Sequence, residues 1–331
     1  MSHRPAGGAR CTGRNRVALW TLVRAPPVAI SRVERPRRRS ARHYTAQTHP
    51  TGRSVRTLST TVPFGFDFDT VRWVEAYRAL GCVSGQFYRN PANPPSPREA
   101  RRVAESLGVP FDSIHGVFGP DIDPSSPDGA HRARCVEIYE DEARLALDLG
   151  CSGVVVHPSA YTPDYSFYDK DEADRLQSAR WGFLDDFLRR LAEVGARRGT
   201  VFLIENLPRN AALGHDPTAL AERVGAAGSE WIRMCFDAGH AHLTADLAAE
   251  LRRCAPVIGY LHVHDNDRIA DQHLMPSDGS IDWRAFSAAL RELALDAVCM
   301  LEVFYDEERL ESLARAGFGR VLSECCALGG L

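Results

Sequence analysis

Val201-Phe202-Leu203-Ile204-Glu205 is a short apolar run, rich in β-favouring residues, that ends on a carboxylate. It follows a helical stretch, 171–198, with Gly199 standing where a helix C-cap belongs, and precedes a second, 217–226. A strand buried on both faces reads as such an unbroken apolar run. In both directions along the chain the same unit repeats. Strand-like runs fall at 55–62, 82–88, 111–118, 153–157, 201–205, 232–236, 257–264 and 297–304. Helical stretches follow them at 70–80, 97–107, 131–149, 171–198, 217–226, 245–254, 283–293 and 307–328, with Gly81 and Gly150 as further C-cap glycines. Eight β/α units in about 275 residues have the count and length of a (β/α)8 TIM barrel. A doubly wound sheet would carry a glycine-rich phosphate turn after its first strand, but Pro63-Phe64-Gly65-Phe66-Asp67 stands there. No P-loop and no GxSxG elbow occurs. The expected organisation is therefore one α/β domain, a TIM barrel over 55–331, preceded by a disordered, Arg-rich arm over 1–54.

The composition, 44% hydrophobic and 25% charged, is that of a globular chain with a large core. No run of 18 apolar residues exists, so no membrane span and no membrane partner is expected. Nine cysteines with no CxxC pair argue against a disulfide framework or a thiolate zinc site and fit a reducing cytoplasm. Residues 1–56 hold 13 Arg and one acid, Glu34, a net of +12, which leaves 27 bases against 42 acids, or −15, for the rest. Such an arm has the composition of a nucleic-acid tail or a transit peptide. With 39 Arg against a single Lys, Lys170, the arm reads rather as arginine-biased sequence outside the fold.

Barrel chemistry sits at the C-terminal ends of the strands, and these ends are enriched in metal-ligand types. His115 lies near the end of the third strand, His157 ends the fourth, Glu205 ends the fifth, and Asp237 follows the sixth with His240 just beyond. His262 lies on the seventh, Asp271 and His273 follow in its loop, and Glu302 lies on the eighth. A lone histidine is usually structural and a lone carboxylate is usually a cap or an ion pair. Nine such residues at one end of consecutive strands are another matter, because carboxylates gathered around one cavity need a cation. Neighbouring imidazoles supply the nitrogen donors that transition metals favour. His264, two residues beyond His262, shares its strand face and is a candidate substrate contact, as are His240 and Arg268. His242 reads as a supporting residue; His131, His215 and Arg209 read as surface residues.

The ordered pieces Val155-Val156-His157-Pro158, Ile204-Glu205-Asn206, Phe236-Asp237-Ala238-Gly239-His240-Ala241-His242, Leu261-His262-Val263-His264-Asp265-Asn266 and Asp271-Gln272-His273-Leu274-Met275-Pro276, running into Gly279-Ser280-Ile281-Asp282-Trp283, carry a family resemblance. Over about residues 57–325 the chain resembles the xylose isomerase-like barrels, which include sugar phosphate isomerases, ketose epimerases and endonuclease IV. In the sugar isomerases and epimerases one metal is held by Glu, Asp, His and Glu from four successive strands, and the two glutamates form the acid–base pair. The matching positions are Glu205, Asp237, His262 and Glu302, with Glu205 and Glu302 catalytic. In the endonuclease branch three zinc ions take nine ligands, and His115, His157, His240, Asp271 and His273 complete that set. One departure leans toward the endonuclease pattern: many sugar isomerases carry a glutamate near the end of strand 2, where this chain reads Gly85-Gln86-Phe87-Tyr88-Arg89-Asn90-Pro91.

Two functions follow from the resemblance. The first is isomerisation or epimerisation of a small sugar, sugar phosphate or polyol through an enediolate, with Mn²⁺, Mg²⁺, Co²⁺ or Zn²⁺ as cofactor. The second is an endonuclease IV-like, zinc-dependent attack on DNA at abasic sites. A protein that tracks a phosphate backbone needs basic groups along it, and a region of net −15 is unfavourable for that. The linker from Asp265 to Trp283 also reads more like the isomerases. A small carbohydrate substrate is thus expected over nucleic acid. The sequence leaves the metal count and a homo-oligomer open.

Overall fold

The structure, a computed structural model, describes residues 56–160 and 170–328. The arm expected over 1–54 lies outside the described residues. The elements run β1 Leu58–Phe64, α1 Thr70–Ala79, β2 Ser84–Arg89, α2 Pro97–Ser106, β3 Phe111–His115, α3 Gly129–Leu149, β4 Gly153–Val156, α4 Lys170–Arg198, β5 Val201–Glu205, α5 Pro217–Ala226, β6 Ile232–Asp237, α6 Ala238–Thr244, α7 Leu247–Cys254, β7 Ile258–Val263, α8 Trp283–Glu292, β8 Val298–Leu301, α9 Glu307–Arg315 and α10 Gly319–Cys325. Each strand pairs in parallel with the next and β8 closes on β1, so the sheet is the expected eight-stranded barrel.

Strand pleating sorts the side chains into two populations. Phe202 and Ile204 on β5, Met234 and Phe236 on β6, Leu261 and Val263 on β7, and Cys299 and Leu301 on β8 face the helices and join the main core. The alternate residues Leu203, Cys235, Tyr260 and Met300, with Val155 of β4, make a separate small cluster inside the barrel. One residue pair further along each strand, the inward positions are Glu205, Asp237, His262 and Glu302. The period of two that fills the barrel floor with apolar groups thus delivers the polar set to its rim. Each fully buried aliphatic or aromatic side chain of the outer core contributes on the order of 1.5–3 kcal/mol.

Most elements coincide with the sequence expectation to within a few residues; two do not. A helix, α6, starts immediately at the end of β6, where sequence reading expects a connection before a helix over 245–254. Asp237 is both the last residue of the strand and the N-cap of α6, its Oδ1 accepting from His240 N at 2.6 Å. The single helix expected over 307–328 is two helices, α9 and α10, interrupted at Gly317, a residue type with poor helix propensity. Among the described residues no helix is long and apolar enough to cross a membrane. Among the described residues eight cysteines, all buried, are free.

Candidate metal centre

Three groups of donor side chains lie side by side at the C-terminal mouth, the donor atoms of each within 4.8 Å of one another. The central group is Glu205, Asp237, His262 and Glu302, all buried. Strand register builds it. Asp237 pairs with His262 across β6 and β7, and Glu302 N donates to Val263 O at 3.1 Å, extending the β7–β8 ladder by one residue. His262 Nδ1 stands 2.9 Å from Glu205 Oε1, 3.0 Å from Glu302 Oε2 and 3.7 Å from Asp237 Oδ2. On one side, His157 Nε2 and His115 Nε2 converge on the other oxygen of Glu205, at 3.2 and 3.6 Å. On the other side, His240, His264, Asp271 and His273 form the third group. All nine residues expected as ligands are therefore brought together, and Glu205 belongs to two groups.

The residues behind these groups hold the rings in place. His115 Nδ1 faces Gly116 O at 2.9 Å, His240 Nδ1 faces Asn206 O at 2.8 Å, and His273 Nδ1 faces Glu302 O at 2.8 Å. An Nδ1–H donated to a carbonyl leaves Nε2 as the nitrogen turned to the site, which is how ligating histidines are usually fixed. Asn206 clamps the backbone of Asp237 on both sides, Nδ2 donating to Asp237 O and Oδ1 accepting from Asp237 N. The loop bearing Asp271 and His273 is organised by Asp265. This buried carboxylate accepts from Asn266 N, Ser277 N, Ile281 N and Trp283 Nε1 at 2.7–3.1 Å. A Cβ on Gly279 would stand 2.3 Å from Asp265 Oδ1, so only glycine fits there. Sequence reading passed over Asn206 and Asp265. Their signal was an amide directly after Glu205 and a carboxylate directly after His264 in runs otherwise read for ligands.

The electrostatics also fit a cation. Burial opposes ionisation of Glu205, yet the imidazoles of His262, His115 and His157 hold its carboxyl well below the usual range. Burial likewise opposes the charge on Glu302, whose carboxyl His262 and His273 hold low. His240 is held well above its ordinary value, against its burial, by Asp237, Asp271 and Glu205. His273 is pushed up to about 9, again against burial, chiefly by Asp271. The carboxylates thus favour positive charge on the rings beside them, and an ion bound in their place would have to displace those protons. Asp271 Oδ1 and His264 Nδ1 are buried with no hydrogen-bond partner. Such orphaned donor atoms are costly unless an ion takes them, so the residues present fit divalent metal.

The other candidates are placed as follows. His264 is fully buried, its Nε2 3.1 Å from Asp237 Oδ1 and its ring stacked on His273 at 4.1 Å, inside the third group. Arg268 is exposed and donates to Ala245 O at 3.3 Å, and Arg209 donates to Leu243 O; neither joins the groups. His242 Nε2 lies 2.9 Å from Ser280 Oγ and supports the β7–α8 loop. His131 accepts from Asp123 N and His215 is exposed, both away from the centre. Half-buried aromatic rings rim the mouth, with Phe118 on His157, Tyr88 beside His115 and Phe304 beside His273.

His264 has room for its ring because position 239 has no side chain. A Cβ there would stand 2.0 Å from His264 Cε1 and 2.3 Å from Nδ1. Gly239→Ala is expected to push His264 out of the third group, at the ~1–3 kcal/mol typical of overpacking, and to lower bound metal while the barrel folds. Metal analysis beside a thermal melt checks this; full metal content would show that His264 has no part in holding an ion.

Residues 64–323 match the xylose isomerase-like TIM barrel family. An uncharacterized protein of Methanocaldococcus jannaschii, MJ1311, is 29% identical over 194 residues, 57% of this chain and 63% of that protein. The chain spans about half to two thirds of the length of the curated relatives it matches. Among solved structures, an L-ribulose 3-epimerase superposes with a TM-score of 0.64 at 22% identity, covering 82% of this chain and 95% of the other. A D-psicose 3-epimerase from Clostridium cellulolyticum H10 gives 0.62 at 18% identity, covering 80% and 98%. At these identities the likeness establishes the fold.

Proposed function

The chain belongs to the xylose isomerase-like TIM barrel family, and from that premise we propose that it is a divalent-metal-dependent isomerase or epimerase of a small sugar or polyol. The observation that carries this reading is the central group. Two buried glutamates, Glu205 and Glu302, approach His262 Nδ1 at 2.9 and 3.0 Å from two strands, with Asp237 beside them. These four residues would hold the ion. Once bound, it polarises a substrate carbonyl and so acidifies the neighbouring C–H. The chain supplies the rest. One of Glu205 and Glu302 removes the proton on the carbon next to the carbonyl, and the other returns it. His273, bonded to Glu302 O, and His115 and His157, turned on Glu205, orient the two carboxylates. Phe118, Tyr88 and Phe304 offer apolar surface to the sugar's C–H faces and keep water off the reacting carbon.

A second reading rests on the two flanking groups. His115, His157 and Glu205 on one side, and His240, Asp271 and His273 on the other, complete the nine-ligand pattern of an endonuclease IV-like enzyme. One experiment separates the two. Metal is counted on the purified protein, which is then incubated in D₂O with a panel of ketoses, their phosphates and inositol-type ketones. Deuterium on the carbon next to a carbonyl supports the isomerase. Three zinc ions, no exchange with any sugar, and cleavage of duplex DNA at abasic sites that falls steeply with salt would replace it with the nuclease.

A further inference from the structure

The loop between β7 and α8 carries two of the donors, Asp271 and His273, and its backbone is strained. Arg268, His273 and Ser277 stand at φ 69°, 47° and 80°, in the left-handed region that residues other than glycine disfavour. At Ser277 the reason is visible. Asp278 N donates to Met275 O at 2.9 Å, so Met275-Pro276-Ser277-Asp278 is a β-turn. Proline in its second position and a positive φ in its third are the pattern of a type II turn, whose third position belongs to glycine. Here a serine occupies it.

Strain of this kind persists only where the surroundings over-determine it. Two groups hold this loop. Asp265 holds it from within. The other reaches in from the segment after β8. Tyr305 is buried there, and its hydroxyl accepts from Met275 N at 3.1 Å and donates to Asp278 Oδ2 at 2.6 Å. One hydroxyl thus grips both the first and the last residue of the strained turn. Arg309 of α9 backs it, with its guanidinium 3.6 Å from the centre of the Tyr305 ring and its Nη2 donating to Asp278 Oδ2 at 2.8 Å.

We propose that Tyr305 is a positioning residue: its hydroxyl latches the Met275–Asp278 turn in a backbone that serine does not favour, and so holds Asp271 and His273 in the mouth. Without the latch, relaxation of Ser277 toward a negative φ redirects the chain on either side of it. His273, four residues back, then leaves Glu302 O, which its Nδ1 faces at 2.8 Å, and Asp271 leaves His240 Nε2, now 3.1 Å from its Oδ2. The latch also ties this loop to the strand end that bears Glu302, which fixes the third donor group relative to the central one. The inference rests on the metal centre of the preceding reading for what the loop presents, and not for the latch itself.

The test uses the full chain. Tyr305→Phe keeps the ring beneath Arg309 and removes only the hydroxyl. Ser277→Gly removes the strain and, besides it, only a long contact to Cys325 Sγ at 3.9 Å. Amide hydrogen exchange is read by NMR on metal-free protein at positions 274 and 277, whose N–H groups bond to Asp265 and not to Tyr305. Zinc affinity is read separately by chelator competition. Tyr305→Phe is expected to speed exchange at both amides by about 5–150-fold, the worth of two hydrogen bonds, while the strand amides exchange as in the parent. Zinc is expected to bind about tenfold more weakly, the low end of what an outer partner contributes. Adding Ser277→Gly is expected to slow the exchange again by about 5–30-fold, because glycine takes the left-handed backbone without the penalty, and to recover the affinity with it. A tyrosine that merely fills space would be matched by phenylalanine and indifferent to residue 277. Parental exchange in a folded Tyr305→Phe overturns the proposal, as does fast exchange that Ser277→Gly fails to slow. Fast exchange with parental zinc affinity overturns the positioning role. A parent that binds no divalent ion overturns the preceding reading instead, and the exchange rates alone then decide the latch. Should Tyr305→Phe fail to fold, Asp278→Ala cuts the same latch at its other end and is held to the same outcomes.

Discussion

Glu302→Gln is expected to leave the barrel folded and ion-loaded while cutting deuterium incorporation from D₂O by about 10²–10⁴-fold, the contribution of a positioned acid–base group. The amide keeps the shape of the side chain and one oxygen for an ion, but it cannot hold the migrating proton. Glu302 approaches His262 Nδ1 at 3.0 Å and its own carbonyl accepts from His273, so the substitution removes a base without releasing the loop behind it. Mass spectrometry of the recovered sugar reads the exchange, and circular dichroism and metal content read the controls. Exchange at the parental rate would remove Glu302 from the chemistry. Cleavage at abasic sites that is lost in both Glu302→Gln and His157→Ala would move the protein to the nuclease reading. Loss in the Glu302 variant alone would not discriminate, since both mechanisms need that carboxylate.

Asp237→Ala is expected to lower metal affinity by more than the ~10–100-fold that follows loss of an outer partner, because it removes a buried carboxylate from the central group. The same side chain caps α6 by accepting from His240 N. The alanine variant therefore also loses about 0.5–2 kcal/mol of stability through the missing cap. Asp237→Asn separates the effects: asparagine caps as well as aspartate but brings no charge, so its melting temperature should stay near the parent's while its affinity falls. His215→Ala, on the surface, should change neither. Equal loss of affinity in the His215 variant would mean general destabilisation rather than lost coordination.

The barrel and the candidate donor positions at its strand ends could be placed from the sequence because they share one periodicity. Along β5 to β8 the residues that pack on the helices alternate with those that face inward, so placing a strand also places its inward-facing end. The division of ten residues, His264 among them, into three groups was not readable, since it depends on barrel closure and on which oxygen of Glu205 faces which neighbour. Helix α6 was missed for a different reason. All but its last residue are buried, so Ala238–Thr244 has no polar face to set up a helical period, and its one signal was the capping Asp237. Gln86 was read only as part of the stretch Gly85–Pro91, which lacks the glutamate that many sugar isomerases carry near the end of strand 2. Its amide nitrogen lies 3.2 Å from His262 Nε2, 176 residues away. Asp265 binds four donors drawn from its own following loop, a role that becomes visible only once that loop is folded.

The β6–α6 junction also bears on how this site can change over evolutionary time. Barrel active sites usually diversify by lengthening or shortening the segment between a strand and the next helix, which leaves the scaffold untouched. Here that segment has no length, because Asp237 ends the strand and caps the helix at once. A single inserted residue would turn α6 by about 100° about its axis, carrying His240 out of line with Asp271 and withdrawing Gly239 from the ring of His264. Insertions and deletions at this corner are therefore barred by helical geometry, and new specificity has to arise at the other strand-to-helix connections around the rim.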